Sequence, residues 1–128
     1  EEIRLLYSQS NIEEVLLREN FDSFSYEYYD DRVVIPEIQM TVADYMRQVH
    51  TWCKEYVENF EKKGGNLIFT GSTGVGKTFL TNCIAKELLD SSHSVIYLTA
   101  VELFQCFEQQ DFNKPDTSDT AIDSSYIL

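Results

Sequence analysis

Several residue types are scarce in this chain of 128 residues, and each scarcity narrows what it can be. It has two histidines, three cysteines and two prolines, and only 10 Lys and Arg against 22 Asp and Glu. No run of about 18 apolar residues occurs, which excludes a membrane-spanning helix. The opening EEIRLLYSQS is charged and polar, unlike a secretory signal. Cys53, Cys83 and Cys106 sit in helix-like patterns without a C-x-x-C, and His50 and His93 stand alone. No metal-ligand spacing arises. The cysteines read as buried, reduced thiols of a cytoplasmic protein and the histidines as surface residues. The first residue is not Met, so a piece of something longer is expected.

The shortage of positive charge is general. The net charge of −12 divides into −7 over residues 1–65 and −5 over residues 66–128. Acidity spread in this way argues against gripping nucleic-acid backbones by bulk charge, so negligible DNA binding is expected of the chain alone. It leaves room for a basic protein partner. The hydrophobic content of 43% suffices for one domain with a modest core.

Glycine is scarce too, but its placement is informative. Of five, Gly64-Gly65 close a helical pattern and three fall in GSTGVGKT, Gly71 to Thr78. That octapeptide fits G-x-x-x-x-G-K-[ST] at every fixed position. Its context also fits: the apolar run Asn66–Thr70 reads as a strand, and Lys77 to about Leu89 reads as a buried helix. In such a loop, glycines let successive N–H groups turn inward, where with the positive helix end they cradle phosphates. Gly71, Thr73, Gly74, Val75, Gly76, Lys77, Thr78 and Phe79 are therefore the expected nucleotide-binding residues. The Lys77 ammonium would reach the β- and γ-phosphates, and the Thr78 hydroxyl would ligate Mg²⁺ through the nucleotide, ATP or ADP.

Around the loop, Ser10-x-x-Glu13 opens a short helix that fades by Asn20, after a short helix expected at 2–9. Residues 21–39 read as irregular, with five aromatics (Phe21, Phe24, Tyr26, Tyr28, Tyr29) lying on a core, and Val33–Ile35 as at best an edge strand before Pro36. Thr41-x-x-Asp44 opens an amphipathic helix of about 20 residues with a stripe through Met46, Val49 and Cys53. Val95–Leu98 reads as a strand buried on both faces. Thr99-x-x-Glu102 caps a helix over about 100–110, followed by a polar loop at 111–123 and the apolar Ser125–Leu128.

One requirement of a nucleotide triphosphatase is missing. After the loop, no apolar strand ends in Asp or Glu, the residue that would hold Mg²⁺ and position water. The catalytic residues are therefore unknown from this sequence.

The stretch 66–104, with NFDSF (Asn20–Phe24) upstream as an "FxxF"-like lead-in, resembles the ATPase region of DnaC/DnaI-type helicase loaders and IstB-type transposition helpers, both of the AAA+ class. The resemblance covers roughly residues 10–128. It implies an α/β P-loop sandwich with a parallel sheet. Residues 1–40 would be a linker and lead-in, and residues 41–128 the front part of the core, with its first three strands. SSYIL would begin the strand that delivers the magnesium-positioning acids. The lead-in Phe21–Phe24 would lie near the adenine.

Three functions compete. The first is an ATP-driven loader in DNA replication, with a replicative helicase and single-stranded DNA as partners and self-association on ATP. The second is an IstB-like helper acting on a transposase–DNA complex. The third is a nucleotide-holding fragment without catalysis. An exposed edge of an incomplete sheet would also promote self-association.

Overall fold

A computed structural model describes residues 12–112. These residues divide into two compact units, Glu14–Glu87 and a second that holds residues 12–13 and 88–112. The expected helix at 2–9, the Ser10 cap and the segment Ser125–Leu128 lie outside the described residues.

In the first unit, helix α1 (Glu13–Arg18) is ended by side chains. Asn20 Nδ2 donates to the carbonyls of Leu16 (3.0 Å) and Leu17 (3.3 Å), and Ser23 Oγ donates to that of Arg18 (2.7 Å). These bonds satisfy the carbonyls that a helix end leaves without partners. They also fix the direction in which the aromatic lead-in departs. Strands β1 (Val34–Ile35) and β2 (Met40–Thr41) then form an antiparallel hairpin, with Val34 opposite Thr41 and Ile35 opposite Met40. Val42 N donates to Val33 O (3.0 Å) and Ala43 N to Asp30 O (3.1 Å), so the lead-in is tied to the start of the next helix.

Helix α2 (Val42–Glu58) begins at the expected cap: Thr41 Oγ1 accepts from Asp44 N at 3.1 Å. It stops sooner than its periodicity implies. Asn59 N and Nδ2 both donate to Glu55 O, at 3.0 and 2.8 Å, and the chain restarts as the short α3 (Phe60–Lys63) before Gly64 ends it. An Asn that competes for backbone groups in this way is poor helix interior. Only part of the α2 stripe is core. Ala43, Met46 and Cys53 are buried, while Val42, Tyr45 and Val49 line an open groove of about 470 Å³ that faces Leu67–Thr70.

Helix α4 (Lys77–Asp90) carries most of the core, as its apolar positions on nearly every side predict. Leu80, Cys83, Ile84, Ala85, Leu88 and Leu89 are all buried. Asn82 is buried among them, its Nδ2 donating to Glu19 Oε2.

The expected parallel sheet does not form among the described residues, whose one sheet is the β1–β2 hairpin. Among the described residues, Asn66–Thr70 is extended with no partner strand, Ile68 being 83% exposed, and Val95–Leu98 carries a single bridge residue, Ile96, with no partner strand. The physical reason is locality. A four-residue connection closes the hairpin at little entropic cost, whereas a parallel strand needs a partner brought in by a long crossover.

In the second unit the end of α4 is a tight cap. His93 N donates to Leu88 O (2.9 Å) and Ser92 N to Leu89 O (3.0 Å), with Ser92 at φ +66°. This is a Schellman arrangement with serine in the glycine position. Ser92 takes a left-handed backbone that glycine adopts without strain. Ser92→Gly is expected to stabilise the protein by about 0.5–1 kcal/mol in a denaturant titration, and a loss of stability would contradict the assignment. Beyond the buried Val95, Thr99 and Glu102 form a reciprocal capping box, with N–H to side-chain oxygen distances of 2.9 and 3.2 Å. It opens α5 (Ala100–Phe112), whose Val101, Phe104 and Phe107 are exposed.

Burial pushes the thiols of Cys53 and Cys83 up to about 11 and about 12, while Cys106 is half-buried. Alkylation of the native protein at pH 8 is expected at Cys106 alone, with all three modified after unfolding. Mass spectrometry showing native Cys53 or Cys83 alkylated as fast as Cys106 would contradict this.

Candidate functional site

The segment Gly71–Gly76 turns sharply between extended chain and α4. Gly74 (φ +83°) and Gly76 (φ +107°) adopt a backbone that side chains disfavour. The first turn of α4 starts at Lys77, and Leu80 N donates to Gly76 O at 3.0 Å. Among the described residues, no backbone group accepts from the N–H of Gly74, Val75, Gly76, Lys77 or Thr78. Five successive N–H groups without backbone acceptors, running into a 14-residue helix, are the donors that an anion at a helix N-terminus uses.

Lys77 Nζ folds back along the loop, donating to Gly71 O (2.8 Å) and Ser72 O (2.6 Å). The ammonium is thus held beside the start of the loop. Thr73 and Thr78 are exposed, with Thr78 in the first turn of α4, and Phe79 is half-buried. Every expected loop residue is therefore brought to one place.

The lead-in supplies a second wall. Phe24 packs edge-on against Phe79, with ring centroids 5.7 Å apart, and stacks on Tyr29 at 6.1 Å and 16°. Phe24, Tyr28, Tyr29, Val42, Gly74–Gly76 and Phe79 line an open cleft of about 480 Å³. Phe21 faces away from this cleft, onto His50 (4.9 Å). Of the lead-in pair, Phe24 reaches the loop and Phe21 does not.

Two residues gained roles that their sequence context did not indicate. Tyr29 Oη donates to Val75 O at 2.9 Å, linking positions 46 residues apart. Burial raises the Tyr29 pKa, which keeps this donor protonated. His50 is half-buried: its ring meets Phe21, Phe24 and Tyr26, and burial, with Lys54 nearby, lowers its pKa. The aromatic crowding of residues 21–29 was the available signal for both.

The site fits a nucleotide. Unpaired amides and an ammonium suit phosphate oxygens, and the close approach at Gly76 leaves no space for a side chain. Among the described residues, neither cleft beside the loop has an acidic side chain in its wall. Among the described residues, no three His, Cys, Asp or Glu side chains gather where they could hold a metal ion, and no helix is long and apolar enough to cross a membrane.

Comparison with known proteins agrees with this geometry. No solved structure matches the chain. An "Insertion sequence IS21-like putative ATP-binding protein" of Bacteroides fragilis (strain YCH46) is 32% identical over 50 residues, which are 39% of this chain. The matched stretch spans 25% of that relative's length. Residues 38–120, more than half of the chain, match the family described as IstB-like ATP binding protein. Nothing in these matches supports helicase loading or DNA replication, and they fall on the IstB side of the resemblance. With the phosphate loop inside the matched span, the chain belongs to the IstB-like ATP-binding family.

Proposed function

We propose that this chain is the nucleotide-holding part of an ATP-binding helper protein that serves the transposition of an insertion sequence. The observation that carries the reading is the row of free amides from Gly74 to Thr78 under the Lys77 ammonium, set within the family match. ATP or ADP would place its phosphates on those amides and on Lys77. Its base would enter the cleft between Phe24, Tyr29 and Phe79, where an aromatic wall suits a flat heterocycle. Mg²⁺ would arrive with the nucleotide, held in part by Thr78 Oγ1, and would neutralise phosphate charge.

The related IS21-like protein is named for an insertion sequence, and this favours the transposition helper over the helicase loader. Contact with a DNA-bound transposase and self-association on ATP belong to the same proposal. A pull-down with the full-length protein and ATP tests it. Retention of transposase without replicative helicase supports the reading, and the reverse pattern contradicts it.

With no carboxylate among the described residues that wall the clefts beside the loop, this chain alone is expected to hold nucleotide without hydrolysing it. Phosphate release from Mg-ATP that disappears in Lys77→Ala would overturn that expectation.

A further inference from the structure

We propose that Tyr29 is a positioning residue that aims one amide of the phosphate loop by holding the far side of the same peptide unit. This rests on the nucleotide-binding reading and concerns how the site is kept ready.

The argument begins with peptide planarity. Val75 C=O and Gly76 N–H belong to one planar trans unit and point in opposite directions. Tyr29 Oη donates to Val75 O at 2.9 Å, so Gly76 N–H is directed away from the lead-in. A peptide ahead of a glycine is the one most easily turned over, because glycine accepts backbone angles of either sign. Gly76 sits at φ +107°, and among the described residues the one backbone–backbone bond of the loop is Leu80 N to Gly76 O. Little within the loop resists rotation of the Val75–Gly76 peptide; the phenol does.

The phenol is itself firmly placed. Its ring stacks on Phe24, Tyr29 N donates to Tyr26 O (3.0 Å), and the next residue is tied to α2 through Ala43 N and Asp30 O (3.1 Å). The fit is also close. A Cβ built on Gly76 would stand 2.6 Å from Tyr29 Oη but 4.0 Å from the ring carbon that bears it. The hydroxyl, not the ring, therefore occupies the space beside Gly76.

Tyr29→Phe removes this one donor and keeps the ring. Two readouts test the proposal. The first is the NMR carbonyl carbon-13 resonance of Val75 in the nucleotide-free protein, expected to shift upfield when the hydrogen bond it accepts is lost. The second is affinity for ADP and for inorganic pyrophosphate, both expected to fall by about 3- to 10-fold, the worth of one net hydrogen bond, with the melting temperature little changed. Loss of ADP affinity with pyrophosphate affinity intact would assign Tyr29 to the base alone and overturn the proposal. So would an unchanged Val75 carbonyl resonance. If the parent chain bound neither ligand, the nucleotide reading would fail, and the Val75 resonance would still decide whether Tyr29 holds the peptide.

A second comparison guards against a poorly folded variant. Gly76→Ala should be more stable in the Tyr29→Phe background than alone, because the 2.6 Å conflict is gone. Equal destabilisation in both backgrounds would contradict the clamp.

Discussion

Lys77→Ala is expected to fold normally and to bind ADP and ATP about 30- to 1,000-fold more weakly than the parent chain. The size follows from charge. Each charge-assisted hydrogen bond from an ammonium to phosphate contributes about 1.5–3 kcal/mol, and the loss of one or two amounts to roughly 2–4 kcal/mol. Stability should change little, because the bonds that Nζ makes in the structure are to Gly71 O and Ser72 O, both on exposed residues that water can satisfy. The combination is diagnostic. Titration calorimetry showing less than a threefold loss of affinity, or a melting curve showing collapse of the fold, would each contradict this account of Lys77.

Gly76→Ala should be the most damaging single methyl group in the loop. Two costs combine at this position. The backbone at φ +107° disfavours any side chain, and the new Cβ would lie 2.6 Å from Tyr29 Oη. The chain must either rotate the Val75–Gly76 peptide or give up the Tyr29–Val75 bond. A cost of about 1–3 kcal/mol is expected, equivalent to a fall in melting temperature of roughly 4–8 °C for each kcal/mol in a domain of this size. Nucleotide affinity should fall with it. Gly74→Ala is the informative control: Gly74 is also at positive φ (+83°), yet nothing lies within 4 Å of its Cβ position. It should carry the backbone cost alone. Thermal melts in which Gly74→Ala is the worse of the two would show that the close approach of Tyr29 has no energetic consequence.

What the sequence disclosed about this protein was the local part. The caps at Thr41 and Thr99 each depend on residues three apart, and both are present. The burial of α4 follows from apolar residues on nearly every side, and the phosphate loop from eight contiguous positions. Non-local features were not legible. Asn66–Thr70 has the composition of a buried strand but no partner strand among the described residues, so its apolar side chains face an open groove or solvent. Strand composition states what a segment could pair with, not whether a partner is there. Tyr29 looked like one aromatic among five; its bond to Val75 depends on how the hairpin lays the lead-in against the loop. Asn59 was hidden for another reason, since the apolar rhythm of α2 runs through it and only its side chain's competition for Glu55 O ends the helix. Ser92 shows the converse. A residue that should weaken a helix end takes up the left-handed conformation regardless, because the two cap bonds hold it there.

Equilibrium titration of the chain with a fluorescent ADP analogue and Mg²⁺, beside Lys77→Ala, tests the central claim most directly. The account predicts saturable, one-to-one binding by the parent chain, competed by unlabelled ADP and lost in the variant. Equal binding by both proteins, or no saturable binding by a folded parent chain, would contradict the claim that Gly71 to Thr78 forms a working phosphate site.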